Sequence, residues 1–126
     1  MVKILIVDDE LDVCRFAKSF FEARGLAVLT ASSGQEGLRI FAEHRPDIVL
    51  IDVKMEGMDG VALLKEIKKI DKNAEAIMVS AIEDMDVIEE AKRHGAKGYI
   101  TKPLVLEELE KTVIEKAKWI QAQKKT

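Results

Sequence analysis

Five short aliphatic runs punctuate the chain and leave little choice of architecture: VKILIV (2–7), LAVLT (26–30), DIVLI (47–51), EAIMVS (75–80) and KGYI (97–100). A strand with one wet face alternates apolar and polar residues. The first and third runs instead are nearly unbroken aliphatic, which suits strands buried on both faces. Apolar residues between the runs fall at helical spacing. Val13, Phe16, Ala17 and Phe20 share one face, as do Leu38, Phe41 and Ala42, then Leu64 and Ile67. Val87, Ile88 and Ala91 follow, and finally Leu106, Leu109, Val113 and Ile120. Strand and helix thus alternate five times. That order predicts an α/β fold, a parallel sheet with helices on both faces.

Local signals mark the boundaries. Gly25 and Gly95 each follow a basic residue, the pattern of a helix C-terminus. Ser33 and Glu36 have capping-box spacing, and Pro46 should stop the second helix. With 126 residues, 48% of them hydrophobic, the chain can bury one full core, so a single domain over 1–126 is expected. The net charge of −3 disfavours nucleic-acid binding. The lone Cys14 has no internal disulfide partner and fits a reducing compartment. The N-terminus lacks the pattern of a signal peptide, and no apolar run approaches the roughly 18 residues needed to span a bilayer. The expectation is a soluble cytoplasmic protein without membrane contact. Met1 directly before the first run reads as a natural N-terminus. The C-terminus leaves a stand-alone protein and a piece of a longer chain both open.

The polar residues at the ends of the runs carry the chemistry. Asp8 and Asp9 follow the first run, Asp52 ends the third, Ser80 the fourth, and Lys102 follows the fifth. In a parallel sheet these positions share the edge at which doubly wound sheets bind ligands. Taken singly, each aspartate reads more readily as a turn or N-cap residue than as part of a site. Together they pose an electrostatic problem. Two unit charges about 5 Å apart repel by roughly 3 kcal/mol at an effective dielectric near 20. Three such pairs approach ~10 kcal/mol, comparable to the stability of a whole domain. The cluster must stay hydrated, take up protons or hold cations. Lys102 supplies one positive charge. Mg²⁺ would suit a site of a few carboxylates plus a phosphate.

The motifs ILIVDDE, DIVLIDVKMEGMDG, MVSA and GAKGYITKPL, in this order and spacing, resemble the receiver domain of two-component response regulators, including the chemotaxis regulators, from Val2 to about Ala117. The resemblance implies a doubly wound, flavodoxin-like, five-stranded sheet of order 2-1-3-4-5. It implies that Asp52 accepts a phosphoryl group from a phosphohistidine of a histidine kinase or phosphotransfer protein. It also implies Mg²⁺ held directly by Asp9, Asp52 and the backbone carbonyl of Lys54, with Asp8 acting mainly through water. Lys102 and Ser80 would contact the phosphoryl oxygens, Ser80 and Tyr99 would form the switch, and the Lys102–Pro103 bond would be cis. The face of helix 4, strand 5 and helix 5 would be read by a downstream protein or output domain. Such a protein is not a conventional enzyme, although it assists its own phosphorylation and dephosphorylation. The phosphoryl lifetime, the downstream target and the oligomeric state are left open.

The chain departs from the family pattern at Glu56, where D-x-x-M-P-x-x-D-G has proline; a fixed φ is lost and an acid is added near the metal. Lys54 and Ile82 occupy positions that influence phosphoryl hydrolysis in the family. The rival reading is an aspartate-dependent, Mg²⁺-dependent phosphatase. Those enzymes typically carry a second aspartate two residues after the nucleophile, where this chain has Lys54. A nucleotide or flavin carrier is disfavoured by the absence of a Gly-rich phosphate loop. His44 and His94 read as helix C-terminal cations rather than phosphodonors.

Overall fold

The computed structural model describes residues 1–81 and 84–124. Strands β1 (Lys3–Val7), β2 (Ala27–Ala31), β3 (Ile48–Asp52), β4 (Glu75–Ser80) and β5 (Gly98–Thr101) alternate with helices α1 (Leu11–Glu22), α2 (Gly34–His44), α3 (Gly60–Ile70) and α4 (Met85–Arg93). The C-terminal helix comprises α5 (Leu106–Leu109), a π-helical turn (Glu110–Ile114) and α6 (Glu115–Lys124). Each strand lies within one or two residues of the boundaries read from sequence.

All strand pairs are parallel, in the order β2-β1-β3-β4-β5. The unbroken aliphatic runs are explained by side chains alternating between two cores. Ile4, Ile6, Ile48, Leu50, Ile77 and Val79 face α1 and the C-terminal helix. Leu5, Val7, Val49, Ile51, Ala76 and Met78 face α2, α3 and α4. Along β1, β3 and β4 neither face meets water, so neither needs polar residues there. Burying each of these larger side chains contributes roughly 1.5–3 kcal/mol.

The winding direction reverses between β1 and β3. The chain leaves β1 to build β2 on one side, then returns to place β3 on the other. The crossover connections therefore part at this point and leave a crevice at the carboxyl ends of β1 and β3. Asp8 directly follows β1, and Asp52 is the last residue of β3.

Several local expectations are modified. The apolar stripe of α1 is rotated: Cys14, Ala17, Phe20 and Phe21 are buried, while Phe16 is exposed. Ala42 and Leu106 are also exposed. Ser33 caps α2 by accepting from the Glu36 backbone N–H at 3.1 Å, but Glu36 reaches back to the N–H of Ser32 rather than of Ser33. Arg45 adopts a left-handed conformation (φ 44°) to end α2 before Pro46. Among the described residues, no helix is long and apolar enough to cross a membrane.

Candidate functional site

The end of β1 delivers Asp8 into the crevice, where its side chain is almost fully buried. One carboxylate oxygen accepts the backbone N–H of Glu10 at 2.9 Å; the other lies 3.1 Å from the Lys102 ammonium. Asp52, also buried, has an oxygen 3.4 Å from the same ammonium. Lys102 is placed by its own backbone N–H, which donates to the Ser80 carbonyl at 2.8 Å. The Lys102–Pro103 bond is cis. A cleft of about 160 Å³ is lined by Glu10, Asp52, Lys54, Ser80, Ala81, Asp84 and Lys102.

The Ser80 hydroxyl is buried and has no hydrogen-bond partner among the described residues. A buried hydroxyl left this way costs about 1–3 kcal/mol, so most buried polar atoms find partners. Here the atom sits on the wall of a cleft that also holds a carboxylate and an ammonium. A ligand with acceptor oxygens would satisfy it.

The structure separates the two adjacent aspartates. One carboxylate oxygen each from Asp8, Glu10 and Asp52 lies within 4.8 Å of the others, hard oxygens of the kind Mg²⁺ takes, gathered in the metal-free protein around the Lys102 ammonium. Asp9 is not in that set. It is exposed and borders a neighbouring cavity of about 460 Å³ together with Lys54, Glu56 and Asp59. The Lys54 side chain crosses to Asp84 at 3.2 Å. Tyr99 stands on the surface of β5, with the Lys92 ammonium 5.3 Å from its ring centroid. Ile82 lies outside the described residues.

Glu10 and Asp84 line the cleft without having been singled out from sequence. Glu10 was visible only as the third acid of a run. Its side chain meets Lys102, 92 positions away, at 2.8 Å. Asp84 is a buried acid at the start of α4 with no side-chain capping bond, and no sequence signal marks it.

The charges perturb one another. Burial, then the neighbouring Asp8 carboxylate, push the Asp52 carboxyl up to about 6; Lys102 and the Lys54 backbone N–H pull the other way. For Lys102, burial alone would lower the pKa. The hydrogen bond to Glu10 and the charges of Asp52 and Asp8 outweigh it and hold the ammonium above its usual range. Cys14, whose thiol donates to the Asp8 carbonyl at 3.3 Å, is pushed up to about 11, chiefly by burial, and is inert as a nucleophile at neutral pH.

The metal-free protein should lose stability as the Asp52 carboxyl ionises. Asp52 titrates at about 6 when folded and near 3.8 as a free side chain. Between these values the folded state binds the extra proton, so stability falls as pH rises from about 4 to about 6. The loss is then complete at pH 7. Two units correspond to ~3 kcal/mol, which water in the open cleft should reduce to ~1–2 kcal/mol. Asp52→Asn should therefore stabilise the protein at pH 7 by that amount and by much less at pH 4, as read by urea denaturation. An equal gain at both pH values would contradict the electrostatic cause.

Comparisons with known proteins agree with this architecture. The family model described as "Response regulator receiver domain" matches residues 4–114. The chain is 38% identical over 111 residues to sporulation initiation phosphotransferase F of Bacillus subtilis (strain 168), covering 88% of this chain and 90% of that protein. It is 37% identical over 123 residues to regulatory protein AtoC of Escherichia coli (strain K12), covering 98% of this chain but 26% of that one. Among solved structures, a response regulator receiver domain protein from Clostridium thermocellum superposes with a TM-score of 0.89 at 35% identity, covering 98% of this chain and 99% of that one. The chain belongs to the response regulator receiver domain family, the signalling switches of two-component systems. Members of this family bind Mg²⁺ at an acidic pocket and often link to output domains.

Proposed function

We propose that this chain is a phosphorylation-dependent switch whose acceptor is Asp52. A histidine kinase or histidine phosphotransfer protein would supply the group. An Asp52 oxygen attacks phosphorus, the phosphorus–nitrogen bond to the donor imidazole breaks, and the imidazole leaves. The nucleophile needs no side-chain base, because a carboxylate is ionised above its pKa. The observation that carries the reading is the cleft itself. It brings a buried carboxylate, an ammonium 3.4 Å away and a buried hydroxyl with no partner among the described residues to one small space. These are a nucleophile and two donors for the oxygens of a transferred phosphoryl group.

Asp9, Asp52 and the Lys54 carbonyl are the groups that would hold Mg²⁺ directly, with Asp8 mainly through water; Asp9, which borders the adjoining cavity in the metal-free protein, would have to turn in toward Asp52, while Glu10 stays with Lys102. The ion would neutralise charge on the phosphoryl oxygens. Lys102 would bind one of those oxygens and the Ser80 hydroxyl another. Ser80 and Tyr99 would then bias the face of α4, β5 and the C-terminal helix toward a protein partner or output domain. Moving such an equilibrium from 1:99 to 99:1 requires about 5.5 kcal/mol. Two charge-assisted hydrogen bonds, at ~1.5–3 kcal/mol each, are of the right size. A phosphatase reading finds no support at Lys54, whose ammonium is ion-paired to Asp84 and offers no carboxyl general acid.

Incubation with acetyl phosphate and Mg²⁺ should add the mass of one phosphoryl group to the wild type and none to Asp52→Ala. Equal labelling of the variant would move the acceptor elsewhere. Sustained hydrolysis of a generic phosphate ester would favour the phosphatase.

A further inference from the structure

We infer that Glu10 is a positioning residue that holds Lys102 in a resting arrangement and thereby slows loading of Asp52. This rests on Asp52 being the phosphoryl acceptor. Three carboxylates crowd the Lys102 ammonium: Glu10 is hydrogen-bonded to it at 2.8 Å, and Asp8 and Asp52 pair with it at 3.1 and 3.4 Å. The shortest contact goes to the residue that is not the acceptor. A phosphoryl oxygen that binds Lys102 competes with these carboxylates, and first with the hydrogen-bonded Glu10.

The three acids differ in how easily they can give way. The side chains of Asp8 and Asp52 are 3% and 6% exposed, whereas that of Glu10 is 62% exposed. Asp8 is further tied by the Glu10 backbone N–H. A buried carboxylate that loses its cation stays in a low-dielectric place, and that is costly. Glu10 can rotate into water at little cost. Its carboxylate therefore stands in for a phosphoryl oxygen in the resting protein and is the group displaced when Asp52 is loaded. Because its backbone N–H caps Asp8 while its side chain caps Lys102, one residue at the N-cap of α1 governs both neighbours of Asp52. The exchange is one anion for another on the same ammonium.

Two variants separate this hold from simple charge repulsion at the mouth. Glu10→Ala removes both charge and contact. Glu10→Asp keeps the charge but is one methylene shorter and falls short of Lys102. Both should be loaded by acetyl phosphate and Mg²⁺ about fivefold faster than wild type at the same donor concentration, the size of one exposed ion pair. Acceleration in Glu10→Ala alone would assign the effect to charge and overturn the hold, and unchanged rates in both would overturn it as well. A second reading needs no phosphodonor. The Lys102 ammonium, observed by ¹⁵N NMR, should exchange its protons with water faster in both variants, and spectra identical to wild type would overturn the hold. Absence of loading in all three proteins would instead defeat the assignment of Asp52 as acceptor, with the ammonium spectra still deciding whether Glu10 holds Lys102.

Discussion

Lys102→Met should lose about 3–5 kcal/mol of stability at pH 7.5 and much less at pH 5. Removing one member of a buried charge cluster leaves the remaining charges uncompensated, which is where a loss of that size comes from. Asp8 and Asp52 would face each other across the crevice with no cation between them. The pH dependence follows from Asp52. Its carboxyl already titrates at about 6, and Lys102 is one of the groups that lower it. Without the ammonium its pKa rises further. At pH 5 Asp52 is then protonated in both proteins, one of the two repelling charges is gone, and the variant approaches wild type. At pH 7.5 wild type is ionised, and the variant must either ionise against Asp8 or bind a proton from a dilute source. Urea denaturation at the two pH values measures this directly; an equal loss at both would refute the account. Under the proposed function the same substitution would also remove a charge donor from the transferred group, a kind of loss that costs about 10²–10³-fold in rate. Loading by acetyl phosphate should fall accordingly.

Gly60→Ala should be the most damaging small substitution, with a loss of about 3 kcal/mol or more and a fall in Tm of ~10 °C or more. Gly60 opens α3, immediately after the N-cap Asp59 that accepts the Ala62 N–H at 2.9 Å. Its N–H donates to the Val53 carbonyl at 3.0 Å, which presses the helix start against the end of β3. A Cβ at this position would be driven into the Asp52 carbonyl oxygen and would lie 2.8 Å from the Val53 Cα. Both obstacles are backbone, so no rotamer change relieves them. Relief requires moving the end of β3, and with it Asp52. The variant should therefore also bind Mg²⁺ more weakly, as calorimetry would show. Gly98→Ala is the control. A Cβ there would meet only the Thr112 methyl at 3.9 Å, an ordinary contact, and should change stability little. Comparable losses in the two variants would mean that generic glycine effects, not the approach to Asp52, set the cost.

The fold was legible because its signals are local. Unbroken aliphatic runs, helical spacing between them and glycine or proline stops all depend on residues a few positions apart, and strand order then followed from family resemblance. The positions of Asp8, Asp52, Ser80 and Lys102 at run ends were legible for the same reason: a parallel sheet fixes which ends share an edge. Side-chain direction beyond a strand end is another matter. Asp8 turns in toward Lys102 while its neighbour Asp9 stays exposed beside Lys54, and adjacent identical residues carry no sequence signal to tell them apart.

The sequence by itself determined which residues form strands and helices and which polar groups arrive at the binding edge, because hydrophobic periodicity is set by neighbours along the chain. Only the tertiary structure decided that Glu10 reaches Lys102, that Phe16 is exposed and that Ser80 is left without a partner among the described residues. Those outcomes arise from charges and volumes competing through space between segments as many as 92 residues apart, and spacing in the chain does not encode that competition.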